Sequence, residues 1–126
     1  MKYILTILMT LSISGCATIT NLIPSFWDDN QSKVAVDIKY SISNINCKSD
    51  NISTALILED VNWFISYSES KGTNDVIKII TPLKNTLVSL DEKVKNNTVT
   101  PTYCELKKKI LITQSDKFAK VVLGRY

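Results

Sequence analysis

Few side chains in this sequence are equipped for chemistry. It contains no histidine and three cysteines, Cys16, Cys47 and Cys104. Without histidine there is no serine or cysteine hydrolase built on an imidazole base and no His-ligated zinc or haem, and the commonest general acid of neutral pH is missing. Asp28-Asp29 and Asp91-Glu92 are adjacent acidic pairs, but both fall at expected helix ends, where capping accounts for them. No glycine-rich phosphate loop, paired-carboxylate constellation or nucleophile with its base is visible. The residues therefore predict a protein that is not an enzyme, with no catalytic residue, no metal and no bound cofactor. What remains is the chemistry of three thiols.

Cys16 stands in a distinctive setting. Lys2 is followed by an apolar run from Ile4 to Leu11 and then by Ser12-Ile13-Ser14-Gly15-Cys16. A basic start, a short apolar stretch and small residues before a cut make a signal peptide. The run falls well short of the roughly twenty apolar residues that a membrane-spanning helix needs. Ile13-Ser14-Gly15-Cys16 resembles the bacterial lipobox. That resemblance implies a diacylglycerol on the Cys16 thiol, cleavage just before it and an N-acyl group on the new terminus. Two or three acyl chains hold where one is marginal. Residues 1–15 are then a removed signal, residues 16–27 a lipidated tether, and residues 28–126 a periplasmic domain. Ala17 follows the cysteine where an Asp would resemble the inner-membrane retention signal, so the expected location is the inner leaflet of the outer membrane, facing the periplasm.

Export leaves Cys47 and Cys104 as a pair in an oxidising compartment, where a disulfide is expected. It would close a loop of about 58 residues, for which chain entropy gives about 4 kcal/mol before any strain is subtracted. The formal charge is +3, falling to about +2 once Lys2 is removed and the terminus acylated, which is no footprint for nucleic acid. One local cluster, Lys107-Lys108-Lys109, with Lys117 and Lys120 beyond it, could meet anionic lipid or peptidoglycan carboxylates, although a lysine run on a helix is ordinarily its solvated face. Phe26 and Trp27, at the end of the tether, could rest at a membrane interface or fold back as a hydrophobic staple.

Positioning these residues falls to four amphipathic helices. The chain is 44% hydrophobic and 21% charged with three Gly and three Pro, which suits one globular domain. Val34, Ile38, Ile42 and Ile45 recur at spacings of four and three and predict a helix over 29–46, with Val36, Tyr40 and Cys47 on a neighbouring face. A second helix, over 51–70, is capped at Ser49 or Asp50 and stopped by Gly72. Ile52, Leu56, Ile57, Val61, Trp63, Phe64 and Tyr67 make it the most buried of the four. A third starts after Thr73 or Asn74, carries a seam of Val76, Ile80, Leu83, Leu87, Leu90 and Val94, and is kinked or restarted at Pro82. Residues 93–100 read as a loop. Thr102 and Glu105 have capping-box spacing and open a fourth helix, which runs to Gly124. The fold class is all-α, an up-down-up-down four-helix bundle. Such a bundle brings Cys47 and Cys104 to one pole, so periodicity and disulfide pairing agree on the topology.

The segments Ile23-Pro24-Ser25-Phe26-Trp27-Asp28, Tyr67-Ser68-Glu69-Ser70-Lys71-Gly72, Tyr103-Cys104-Glu105 and Val122-Leu123-Gly124-Arg125-Tyr126 resemble a group of small lipoproteins of tailed bacteriophages and prophages. The resemblance implies origin and carries over no catalytic motif. Three functions compete. The leading one is a non-enzymatic, outer-membrane-anchored helical module that binds another envelope protein. The second is the outer-membrane subunit of a phage spanin complex, although such subunits are commonly richer in proline and less folded. The third is a superinfection-exclusion lipoprotein.

Overall fold

The computed structural model describes residues 27–125. Helix α1 spans Asp29–Ser43, α2 Thr54–Lys71, α3 Asn74–Lys95 and α4 Pro101–Leu123. Each boundary has a local cause. Asp28, in extended backbone, opens α1 by accepting from the Gln31 amide at 2.9 Å. Tight bonds from Asn44 to Ser41 and from Ile45 to Ile42 close it, so α1 stops three residues short of the expected Asn46. Cys47 consequently lies in the loop beyond the helix.

Helix α2 starts at Thr54 and not at Asn51, because Ser49 turns its hydroxyl onto Asn51 and caps nothing. Its end is as expected. Gly72 adopts φ 69°, and the amides of Gly72 and Thr73 return to the carbonyls of Glu69 and Ser68. Those two bonds are a Schellman closure. The same closure ends α3, where Asn97 takes φ 53° and the amides of Asn97 and Thr98 return to Val94 and Lys93. Helical structure thus extends to Lys95, into the stretch expected to be loop. Pro82 neither breaks α3 nor restarts it at Thr81. It lies on the exposed side, and Thr81 turns its hydroxyl onto the carbonyl of Ile77 at 2.6 Å. Thr100 caps α4 by accepting from the Tyr103 amide, and Pro101 takes the first helical position. Proline suits that position because its φ is preset and its missing N–H would have no partner there. The expected box at Thr102 and Glu105 is two residues late.

Helix α1 packs on α2 and α4, and α3 packs on the same two, which is an up-down-up-down bundle. Its centre is fully buried: Ile38 and Ile42 from α1, Val61 and Phe64 from α2, Leu83 and Leu87 from α3, Leu111 and Phe118 from α4. Phe64 and Phe118 meet edge to face at 4.8 Å across the middle. The α3 seam from Val76 to Leu90 is consumed inside the bundle and is the most enclosed strip of the molecule. Helix α2 does not hold that place. Its apolar side chains span a wider arc than one bundle position covers, so Leu56 is 68% and Trp63 45% exposed. Among the described residues no helix is long and apolar enough to cross a membrane.

Candidate functional site

The two poles of the bundle are fastened differently. At one, Cys47 and Cys104 form a disulfide with a Cα separation of 5.6 Å, both residues buried. It joins the loop after α1 to the first turn of α4. Lys108 reinforces the same junction by donating to the carbonyl of Ile45 at 2.7 Å. Nearby, the buried Asp91 accepts from the Thr54 hydroxyl at 2.8 Å and pairs with Lys95 at 2.7 Å, tying the end of α3 to the start of α2. Asp91 therefore sits inside the helix and does not cap its end. Asp28 does cap.

At the other pole α1 begins, α4 ends and α2 turns into α3. Gln31 is the hub and is fully buried. Its Nε2 donates to the hydroxyls of Ser68 (2.9 Å) and Thr73 (2.8 Å), and its Oε1 accepts from Arg125 Nη1 (2.7 Å). Arg125 Nη2 reaches Asp75 at 2.8 Å, with the Arg125 side chain only 4% exposed. One amide and one guanidinium thereby connect all four helices. Periodicity gave no hint of this network, because Gln31, Ser68 and Thr73 look like surface residues in the sequence. A glutamine at i−7 from Ile38, on the apolar stripe itself, is the signal that could have found it.

Beside the hub, Tyr67 donates to Asp28 Oδ2 at 3.1 Å and accepts from Asn30. Trp63 stacks on Tyr67 with ring centroids 4.9 Å apart, and Lys71 lies over the Tyr67 ring. Trp27 is exposed and donates to Asp29 at 2.6 Å. Cys16, Phe26 and the signal segment lie outside the described residues.

The lysine triplet does not form one patch. Consecutive helical residues point about 100° apart. Lys107 lies over the ring of Tyr103 (5.4 Å), Lys108 turns to the Ile45 carbonyl just beyond α1, and Lys109 stands in solvent. Lys93 of α3 also comes over the Tyr103 ring (5.9 Å), a partner that adjacency in sequence could not indicate. Charge is divided between the halves of the chain. Residues 28–72 carry four cationic and seven anionic side chains, whereas residues 73–126 carry ten and five.

The α1/α2 side is aromatic and weakly acidic. Tyr40, Leu56, Trp63 and Tyr67 follow it from pole to pole, with Tyr40 71% exposed. Tyr40 and Leu56 line a depression of about 300 Å³ together with Asn44, Asn46 and Asn51. Partial burial raises the Asp60 carboxyl above its usual range, and the nearby negative charges of Asp37 and Glu59 add to this. Lys33, hydrogen-bonded to Asp37 at 2.6 Å, is raised in turn. Among the described residues no three metal-ligating side chains converge. No family model, curated protein or solved structure matches the chain.

Proposed function

We propose that this is a bacterial lipoprotein, acylated at Cys16 and held on the inner leaflet of the outer membrane, whose helical periplasmic domain works by binding another envelope protein and not by catalysis. The lipid reading is supported by the run from Ile4 to Cys16, and the exported compartment by the Cys47–Cys104 bond, since such bonds persist where thiols are not kept reduced. The observation that carries the binding reading is the exposed aromatic side of α1 and α2. Tyrosine and tryptophan are the residues on which interface energy concentrates, and a domain anchored by one end has little other use for Tyr40, Leu56 and Trp63 in water. A phage or prophage origin follows from the resemblance described above.

Two measurements test this. Cys16→Ser should abolish acyl labelling and release or mislocalise the chain, and unchanged palmitate labelling would refute lipidation. For binding, photo-crosslinkers placed at Tyr40 and Trp63 should capture one envelope protein during phage infection. An inner-membrane phage protein would identify a spanin subunit, and a host outer-membrane receptor a superinfection-exclusion protein. If no specific product forms and deletion alters neither lysis timing nor sensitivity to reinfection, the binding reading fails.

A further inference from the structure

Opposite the aromatic side, α3 and α4 present a face of different character. Leu106, Ile110, Lys117 and Val121 follow one another along α4 within a single stripe, and the three apolar residues are all exposed. At one end of this stripe Lys93 and Lys107 flank Tyr103. At the other, Lys78 and Val121 line a depression of about 650 Å³ with Ile77 and Ile79. Lys78, Lys93, Lys107 and Lys117 thus border one apolar strip over most of the length of α4, about 35 Å. Of the carboxylates nearby, Asp75 bonds Arg125 and Asp116 pairs with Lys39 on the α1 side, while Glu92 and Glu105 are exposed and leave the lysines in excess.

We propose that this α3/α4 face docks the bundle lengthwise on an anionic phospholipid surface. The proposal rests on the lipid-anchor reading and extends it from a tether to a bound orientation. Charge complementarity supports it, because a row of lysines beside an anionic leaflet gains attraction at each position. Apolar side chains between the lysines support a lipid surface over a carboxylate-bearing polymer, because Leu106, Ile110 and Val121 can enter the boundary between headgroups and acyl chains. The length of chain outside the structure permits it. Residues 16–26 reach about 40 Å at most when extended, enough for a bundle about 35 Å long to lie down beside its anchor. Tethering also holds the face at high effective concentration over the membrane, which a free partner lacks. A bundle docked this way turns α1/α2, with Tyr40, Leu56 and Trp63, away from the bilayer toward a periplasmic partner.

The test is amine footprinting of the full acylated chain on two kinds of vesicle, phosphatidylcholine alone and phosphatidylcholine mixed with phosphatidylglycerol, read by mass spectrometry. On the anionic vesicles Lys78, Lys93, Lys107 and Lys117 should label about fivefold more slowly than on the neutral ones, while Lys33, Lys48 and Lys71 label equally on both. High salt should erase the difference. Equal labelling of the α3/α4 lysines on the two vesicles overturns the proposal, and so does protection that appears only in cells, which would assign the face to an acidic protein. Flotation with the neutral vesicles reports the anchor separately. A chain that fails to float there contradicts the lipid anchor, while its labelling on anionic vesicles still reads the face.

Discussion

The bundle closes one pole with a covalent bond and the other with hydrogen bonds, and the difference follows from what each pole has to join. At the disulfide pole two loops must be held down, the ten residues between α1 and α2 and the five between α3 and α4. A cross-link constrains such a junction whatever the loops do. At the opposite pole the α2–α3 connection is only Gly72 and Thr73, and its own Schellman bonds already fix it. What needs fastening there is the start of α1 and the end of α4, which no loop joins. Gln31 and Arg125 do this by reaching from those two helix ends to Ser68, Thr73 and Asp75. The chain enters α1 at this second, non-covalent pole.

Breaking the covalent pole should have the largest effect. Cys104→Ser removes the cross-link from a fully buried position and should cost about 2 to 4 kcal/mol. In a domain of this size that lowers the Tm by about 10 °C or more. Thermal melts of the oxidised wild type and the variant decide it, and Cys47 should become open to thiol-reactive probes. A wild-type chain that already reacts at both positions without reductant would refute the bond.

The second pole should follow closely despite having no covalent bond. Gln31→Leu keeps much of the volume but strips partners from two hydroxyls and from a guanidinium that is almost entirely enclosed, at about 2 kcal/mol. Gln31→Glu should cost less, since a carboxylate still accepts from Arg125 and can accept from the Ser68 hydroxyl, whereas the Thr73 hydroxyl is already donated to the Ser68 carbonyl at 3.1 Å. Denaturant titrations of the two variants give the ordering. If Leu and Glu are equally tolerated, the network is incidental and the poles are not equivalent devices.

How much of this the sequence disclosed depends on the kind of interaction. Helix number, order and core were legible because burial imposes a period on Ile38, Ile42, Leu83 and Leu87 that any one helix shows by itself. The disulfide was legible because it needs only two cysteines and a topology. The Gln31–Arg125 network was not, since it joins residues 94 apart whose types are common on surfaces. The Lys93–Tyr103–Lys107 arrangement was hidden for the same reason: a run of lysines is conspicuous in sequence, but the bundle spreads the run and recruits a lysine from α3. Helix ends erred by a few residues wherever two capping residues competed. Thr100 won over Thr102 because the proline after it favours a first helical position.

The Schellman closures allow the poles to be compared with like motifs. Gly72 and Asn97 occupy equivalent left-handed positions, one at each pole. Gly72→Ala meets no neighbouring atom within 4 Å, so its expected cost of about 1 kcal/mol is purely that of a side chain in left-handed backbone. Asn97→Gly should do the reverse, and by less, because asparagine already tolerates the conformation: a gain of about 0.3 kcal/mol is expected. Opposite signs in thermal melts sharpen the comparison. A destabilised Asn97→Gly would mean that the asparagine side chain contributes at the disulfide pole beyond its backbone.

Asp60 lies between the poles on α2 and should show the smallest effect. Burial and the charges of Asp37 and Glu59 hold its carboxyl above the usual range in the folded chain, so folding favours the protonated acid. The sign follows by linkage: the ionised carboxylate costs stability at neutral pH, and that cost is relieved as pH falls through the raised folded value toward the ordinary one. Asp60→Asn should therefore stabilise the domain at pH 7, by less than about 0.5 kcal/mol because solvent screens a partly exposed group. The advantage should disappear at pH values below the ordinary carboxylate range, where wild type and variant are both uncharged at this position. Melting curves at pH 7 and in that acidic range make the comparison. A variant less stable than wild type at pH 7 would show that the Asp60 charge is compensated, by Lys33 foremost, and that the strip between the poles is electrostatically satisfied after all.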